Sequence, residues 1–304
     1  MNAAELMDRV FDVYKRSFWK QLAYAAIVAT ASTFALGLII GVLGIGAIFI
    51  ASVGEVSALG VTSLIFIFLA IIVFALLMQA ALTAGAILLS RETFMGRIIR
   101  LPMKQLMGAI LRAFTALLAQ LILLTPFTAV VVGLVYGYIR FSFYVDILAN
   151  SRLYYVLLII LLVAVVAGFL LFMHLFSLSV AVAVTERSYF FNALVRGVNL
   201  LRGDFWRLFG VRMIWFVIIF VFVGTAQGLL MLVPSLLGIL FAGTPAILII
   251  AFVLNMFFMV GSMAVSFAMY PLDGILTAVI FFNQRIKKEG LDMEISIEEL
   301  YRAL

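Results

Sequence analysis

The sequence predicts an all-α integral membrane protein of six transmembrane helices. They form three pseudo-repeats, each an interfacial helix plus two spans, with the N- and C-termini cytoplasmic. Three observations carry this prediction. Hydrophobic residues make up 67% of the chain and charged ones 11%, against about 25% charged in soluble domains, so lipid is the solvent for most of the surface. The basic residues flank long apolar runs instead of clustering away from them, which argues for lipid headgroups and against nucleic acid. Finally, Phe18, Phe114 and Phe205 are each followed 19 residues later by a glycine (Gly37, Gly133, Gly224), and four later by another (Gly41, Gly137, Gly228). With 22 glycines among 304 residues, that recurrence marks three units, 1–92, 93–187 and 188–304, within a single membrane domain 1–304.

The first unit opens on residues 3–20. Leu6, Val10, Val13 and Tyr14 share one helical face, and Asp8, Arg9, Asp12, Lys15 and Arg16 lie largely elsewhere. That pattern predicts a helix lying in the interface. Phe18-Trp19-Lys20 is an aromatic anchor beside a cation that can snorkel to the headgroups. Its acidic and basic residues make this N-terminus an uncleaved anchor in place of a secretory signal. Span 1 covers 21–50. A connection with Glu55 and no Lys or Arg leads to span 2, 61–90, which stops at Arg91-Glu92.

The second unit starts with Arg97, Arg100, Lys104 and Arg112 around Leu101, Leu106 and Ile110, with Pro102 starting or breaking the helix. Span 3 covers 114–139, with Pro126 as a kink, and a connection carrying Arg140, Asp146 and Arg152 leads to span 4, 153–185. In the third unit a basic amphipathic segment, 188–203, precedes Phe205-Trp206-Arg207 and span 5, which ends near Val233. Pro234 to Pro245 reads as a turn. Span 6, 246–283, is kinked by Pro271. The tail 285–304 turns from basic to acidic, and Ser296-Ile297-Glu298-Glu299 is a capping box opening a short helix.

Orientation follows from the cations. Of the 20 Lys and Arg, all but Arg140 and Arg152 fall before span 1, between spans 2 and 3, between spans 4 and 5, or in the tail. The positive-inside rule then puts both termini on the cytoplasmic side of the membrane.

The residue types that carry chemistry are sparse. The chain has no cysteine and one histidine, which removes disulfides, a multi-histidine metal site and a Cys/His nucleophilic pair. No G-x-S-x-G, H-E-x-x-H or P-loop pattern occurs. No catalytic residue, metal or cofactor is therefore expected. Three polar residues stand inside spans: Gln79, His174 and Asp273, each 12 residues before a charge (Arg91, Glu186, Arg285). At 1.5 Å per residue they share a depth about 18 Å from those charges. They are expected to turn inward, with His174 and Asp273 converging near Gln79. Arg196, Arg202, Arg207 and Arg212 are the candidates for anionic lipid. The paired glycines are expected to let spans 1, 3 and 5 pack closely inside the bundle, with homodimerisation as the alternative.

Residues 188–210, SYFFNALVRGVNLLRGDFWRLFG, and the tail from Arg285 to Glu294 resemble the six-span "membrane domain of glycerophosphoryl diester phosphodiesterase" family and its uncharacterised relatives. The resemblance implies six spans in a bacterial or archaeal membrane. The family's phosphodiesterase domain has no counterpart before Leu304, and Asn283 stands where relatives carry an Asp, so no hydrolase activity carries over.

Three function classes remain open at this level. The first is a non-catalytic scaffold or regulator that meets a protein partner on its cytoplasmic face. The second is a protein that binds or transports lipids or other amphiphiles, with anionic membrane lipids as partners. The third, a membrane enzyme, would require titratable groups clustered at one depth near the membrane surface. A cavity lined by polar groups among the spans separates the second from the first.

Overall fold

A computed structural model describes residues 3–52, 58–94, 103–144, 152–240 and 247–290. Among them are eight helices and no strand: α1 (Ala3–Ser52), α2 (Ala58–Phe94), α3 (Met103–Tyr144), α4 (Arg152–Phe176), α5 (Ser179–Thr185), α6 (Phe190–Leu201), α7 (Phe205–Leu240) and α8 (Ile247–Glu289). Five stretches of the described residues are long and apolar enough to cross a membrane: 68–91, 103–138, 156–185, 205–232 and 253–289. By length and composition the chain is a multi-pass helical membrane protein. The connections around Glu55 and Asp146, and the capping box at 296–299, lie outside the described residues.

Helix boundaries correct several expectations. Residues 3–20 do not form a separate interfacial helix, because α1 runs unbroken from Ala3 to Ser52. α3 likewise runs from Met103 through Arg112 to Tyr144. Neither Phe18-Trp19-Lys20 nor Ala113-Phe114 contains a residue that stops a helix. The third unit does break. Gly203 takes φ 98°, a conformation favouring glycine, and the carbonyl of Asp204 accepts from the amide of Leu208 to open α7. Only α6 is therefore a separate amphipathic helix. The turn expected from Pro234 also shifts, since α7 continues to Leu240. α3 and α8 carry Pro126 and Pro271 inside continuous helices.

The apolar faces of these amphipathic segments are covered by protein. Leu6, Val10 and Val13 are buried in one cluster with Ile275, Val279 and Phe282 of α8. On α6, Ala193, Leu194, Leu200 and Leu201 are buried. Gly197 of α6 lies so near α5 that an added Cβ would stand 3.0 Å from the Ser179 amide nitrogen. Trp19 and Trp206, 76% and 71% exposed, stand outside this packing.

The paired glycines do not pack helices closely within the chain: around Gly37, Gly41, Gly133, Gly137, Gly224 and Gly228, an added Cβ meets nothing within 4 Å among the described residues. The close approach lies elsewhere, between α2 and α8, where a Cβ on Gly274 would stand 2.5 Å from that of Ala86. Ala80 and Ala84, four residues apart, are also buried, on another face of α2. Side chains add polar ties. Gln21 Nε2 donates to the Ala86 carbonyl (3.3 Å), and the Tyr24 hydroxyl to that of Ala81 (2.7 Å). The Tyr14 hydroxyl donates to the Ala268 carbonyl (2.7 Å), next to the Phe267 carbonyl that Pro271 leaves without its helical donor.

Candidate functional site

The site begins with a break in the apolar stretch 156–185. α4 stops at Phe176, Ser177 and Leu178 form a turn, and α5 restarts at Ser179. A helix interrupted in lipid must re-satisfy its freed carbonyls from nearby polar groups. Ser177 Oγ donates to the His174 carbonyl (2.7 Å), and Ser179 Oγ to the Phe176 carbonyl (2.7 Å). From α3, Gln120 Nε2 donates to the same Phe176 carbonyl (3.0 Å) and to Ser179 Oγ (2.5 Å). Broken helices supported in this way commonly line ligand sites in membrane proteins.

Beside the break lies a cavity of about 430 Å³, walled by α2, α3, α4, α5, α7 and α8. Its polar lining is Gln79 and Thr83 from α2, Gln120 from α3, Ser177, Arg212 from α7, and Asp273 and Thr277 from α8. Leucines of α2 and α3, with Phe172 and Met173, supply the apolar wall. Arg212 Nη2 donates to Thr277 Oγ1 at 3.1 Å, and its buried Nε has no hydrogen-bond partner among the described residues. The Tyr270 hydroxyl donates to Gln79 Oε1 (3.0 Å), fixing the amide at the cavity wall. Asp273 stays exposed beside the cavity and lies within electrostatic range of Arg212. One cation and one anion thus share an apolar-walled chamber.

Two of the three intramembrane candidates meet here, Gln79 and Asp273. His174 does not, and the expected pairing of His174 with Asp273 is absent. His174 Nε2 donates to the Phe205 carbonyl (3.2 Å), and its ring packs edge-on against Phe205 and Phe209. Its neighbours Phe172, Met173 and Ser177 line the cavity, so His174 stands at the same level but turns its ring to another face of α4, onto α7. A shared depth does not decide which face of the helix a side chain takes.

The four arginines also separate. Arg212 was expected at the headgroups and lies in the cavity instead. Arg196 Nε is 3.1 Å from Glu186 Oε2, and its Nη2 contacts Glu289, which also receives Arg285 Nε at 2.9 Å. The hydrogen bond and charge of Glu186 raise the Arg196 pKa, so it is a cation committed inside the molecule. Arg207 lies 4.0 Å from Asp204. The side chain of Arg202 is exposed, and its carbonyl, with those of Asn199 and Leu200, receives Lys288 Nζ to close the end of α6. Sequence reasoning missed Gln120, Ser177, Thr277 and the inward placement of Arg212. The one available signal was Gln120 itself, an amide seven residues into the apolar run that starts at Ala113.

Among the described residues no group of three or more His, Asp or Glu side chains is arranged to hold a metal ion. Compared with protein-family models, curated proteins and solved structures, the chain matches none.

Proposed function

We propose that this chain binds amphiphilic, lipid-like molecules within the membrane and passes them on without covalent change. The observation that supports the reading is the polar, charged cavity beside a broken helix. A protein that only displayed a cytoplasmic face to a partner has no use for Arg212 and Asp273 opening onto a chamber among its spans. Placing charges there costs several kcal/mol, so intramembrane ionisable groups mark ligand paths by default. At the basic end some charges are spent on one another, Arg196 with Glu186 and Glu289 and Lys287 with Asp204. The exposed cations Lys15, Lys20, Lys104, Arg187 and Arg202 remain as support for the scaffold reading. The proposal includes no reaction, since Asp273 is the single carboxylate of the described cavity lining and His174 is not part of it.

The setting we infer is a prokaryotic cell membrane, with six crossings and both termini cytoplasmic. Its support is the partition of basic residues and the out-and-back course of three helix sets, α1 with α2, α3 with α4 and α5, and α6 and α7 with α8. α1 supplies the sixth crossing from Gln21 onward. The resemblance to the six-span family named above agrees with this arrangement and adds no activity. Single cysteines test it in a chain that has none. Asn199→Cys should resist an impermeant thiol reagent in intact cells and Ser57→Cys should react; the opposite pattern inverts the topology.

Native mass spectrometry of the purified chain tests the binding itself. Wild type should retain an amphiphile of defined mass. Leu121→Trp, which fills the cavity from α3, should retain several-fold less while its thermal midpoint in detergent stays within a few degrees. A wild type that retains nothing defeats the proposal, as does a variant that retains as much as wild type.

A further inference from the structure

We propose that the ligand's head is zwitterionic, with an ammonium group against Asp273 and a phosphate or carboxylate against Arg212. This rests on the amphiphile-binding reading and names its substrate class. Both charges open onto one cavity, on α7 and α8, yet they form no direct ion pair. Asp273 has no hydrogen-bond or ion-pair partner among the described residues, and Arg212 uses Nη2 on Thr277 while Nε is left without one. The buried Arg212 guanidinium, with Nε unpartnered, is costly, and Asp273, exposed at the cavity's edge, does not neutralise it by a direct pair. A ligand carrying both signs completes both at once.

A ligand of one sign does not. An anionic head gains from Arg212 and is repelled by Asp273, and a cationic head meets the reverse. Opposition between like charges about 5 Å apart in a low-dielectric site costs several kcal/mol even at an effective dielectric near 20. The guanidinium offers the planar donor set that suits phosphate or carboxylate oxygens. A carboxylate only accepts, which suits an ammonium with its three N–H donors. Gln79, held by Tyr270, and Gln120, held at the helix break, fix neutral donors and acceptors around the head. Leu76, Leu117, Leu121, Leu124, Phe172 and Met173 leave an apolar wall for the first carbons of a chain.

The experiment is a competition on the full-length chain, stripped of lipid in detergent and read by native mass spectrometry. Phosphatidylethanolamine and phosphatidylglycerol of identical acyl chains are supplied in equal amounts. Wild type should prefer the ethanolamine lipid by about tenfold, the discrimination expected from one satisfied charge. Asp273→Asn should lose that preference and bind the glycerol lipid at least as well. Arg212→Gln should weaken both. Free phosphoethanolamine, added at millimolar concentration, separates two sources of the same chemistry. If it displaces the lipid, the head alone is recognised; if it does not, the intact amphiphile is. Equal binding of the two lipids by wild type, or a preference for the glycerol lipid, overturns the zwitterion assignment and leaves amphiphile binding standing. No retention of either lipid overturns both. The wild-type competition requires no substitution, so a variant that fails to fold does not rescue the idea.

Discussion

The two halves of the bundle have similar apolar composition and very different packing. In the half that bears the basic residues, Ala25 and Ala29 of α1, Ala80 to Leu89 of α2, Ala109 to Ala119 of α3, and Leu272 to Phe282 of α8 supply the buried core. In the distal half, large side chains such as Val132, Ile160, Phe220, Val221 and Val260 stand exposed along α3, α4, α7 and α8. Hydrophobicity cannot distinguish these halves, because lipid tails are as apolar as leucine and give no drive to bury it. Close backbone approach and hydrogen bonds between helices decide association instead. The basic half has both, in the Ala86–Gly274 contact and in Tyr14, Gln21, Tyr24, Gln120 and Arg212. Among the described residues the distal half shows fewer such ties; one is Gln227 Nε2 donating to Ser262 Oγ across α7 and α8 at 3.2 Å.

The largest expected effect tests the close approach. Gly274→Leu should push α2 off α8 and lower stability by about 3 kcal/mol or more, the upper range for overpacking a fitted interface. Thermal unfolding in detergent measures it, and a midpoint near wild type would show that the helices have room that the geometry denies them.

An intermediate effect concerns the charged rim of the same half. Lys287 Nζ donates to Asp204 Oδ2 at 2.6 Å, with Gln284 Nε2 at 3.4 Å, and these bonds hold the Asp204 carboxyl below its ordinary value. A carboxylate depressed in the folded state stabilises it fully above the unfolded value of about 3.9. That contribution is lost as pH falls through the folded value. Stability should therefore drop on acidification below about pH 4. Asp204→Asn should flatten that limb by no more than about 1 kcal/mol, because Lys287 is half exposed. An acid limb identical in the variant would remove Asp204 from the account.

The smallest effect lies in the distal half. Gly224→Ala and Gly228→Ala enter open space and should change stability by less than about 1 kcal/mol, with a slight gain from alanine's better helix propensity. If either costs as much as Gly274→Leu, that face of α7 is packed by something outside a single chain, and the contrast between the halves is a property of the monomer alone.

Much was legible in the sequence because bilayer thickness sets span length, and lipid forces the backbone into helices. The apolar runs, the aromatic anchors Trp19 and Trp206, and the buried face of Leu6, Val10 and Val13 follow from period and composition. The repeat of Phe18, Phe114 and Phe205 was equally visible, yet it does not extend to helix ends. Gly203 and Asp204 break the third copy, and nothing equivalent breaks the first two.

The site was legible only in its ingredients. Gln79 and Asp273 stood out as polar residues in lipid, and they do share a cavity. Arg212 looked like one more headgroup cation, since its position in the sequence does not say which way α7 turns it. His174 looked like a partner for Asp273 because a shared depth does not say which face of α4 carries the ring, and it packs on Phe205 and Phe209 instead. The sequence by itself determined that the chain is helical, where it is apolar and which residues are polar inside it, since these depend on local chemistry and the solvent. Packing in three dimensions alone settles that the stretch 156–185 breaks at Ser177, that Gly274 lies in close contact with Ala86, and that Arg212 lines the cavity with Asp273. Those outcomes depend on which helix faces fit one another, and fit among apolar surfaces leaves no signature in either helix alone.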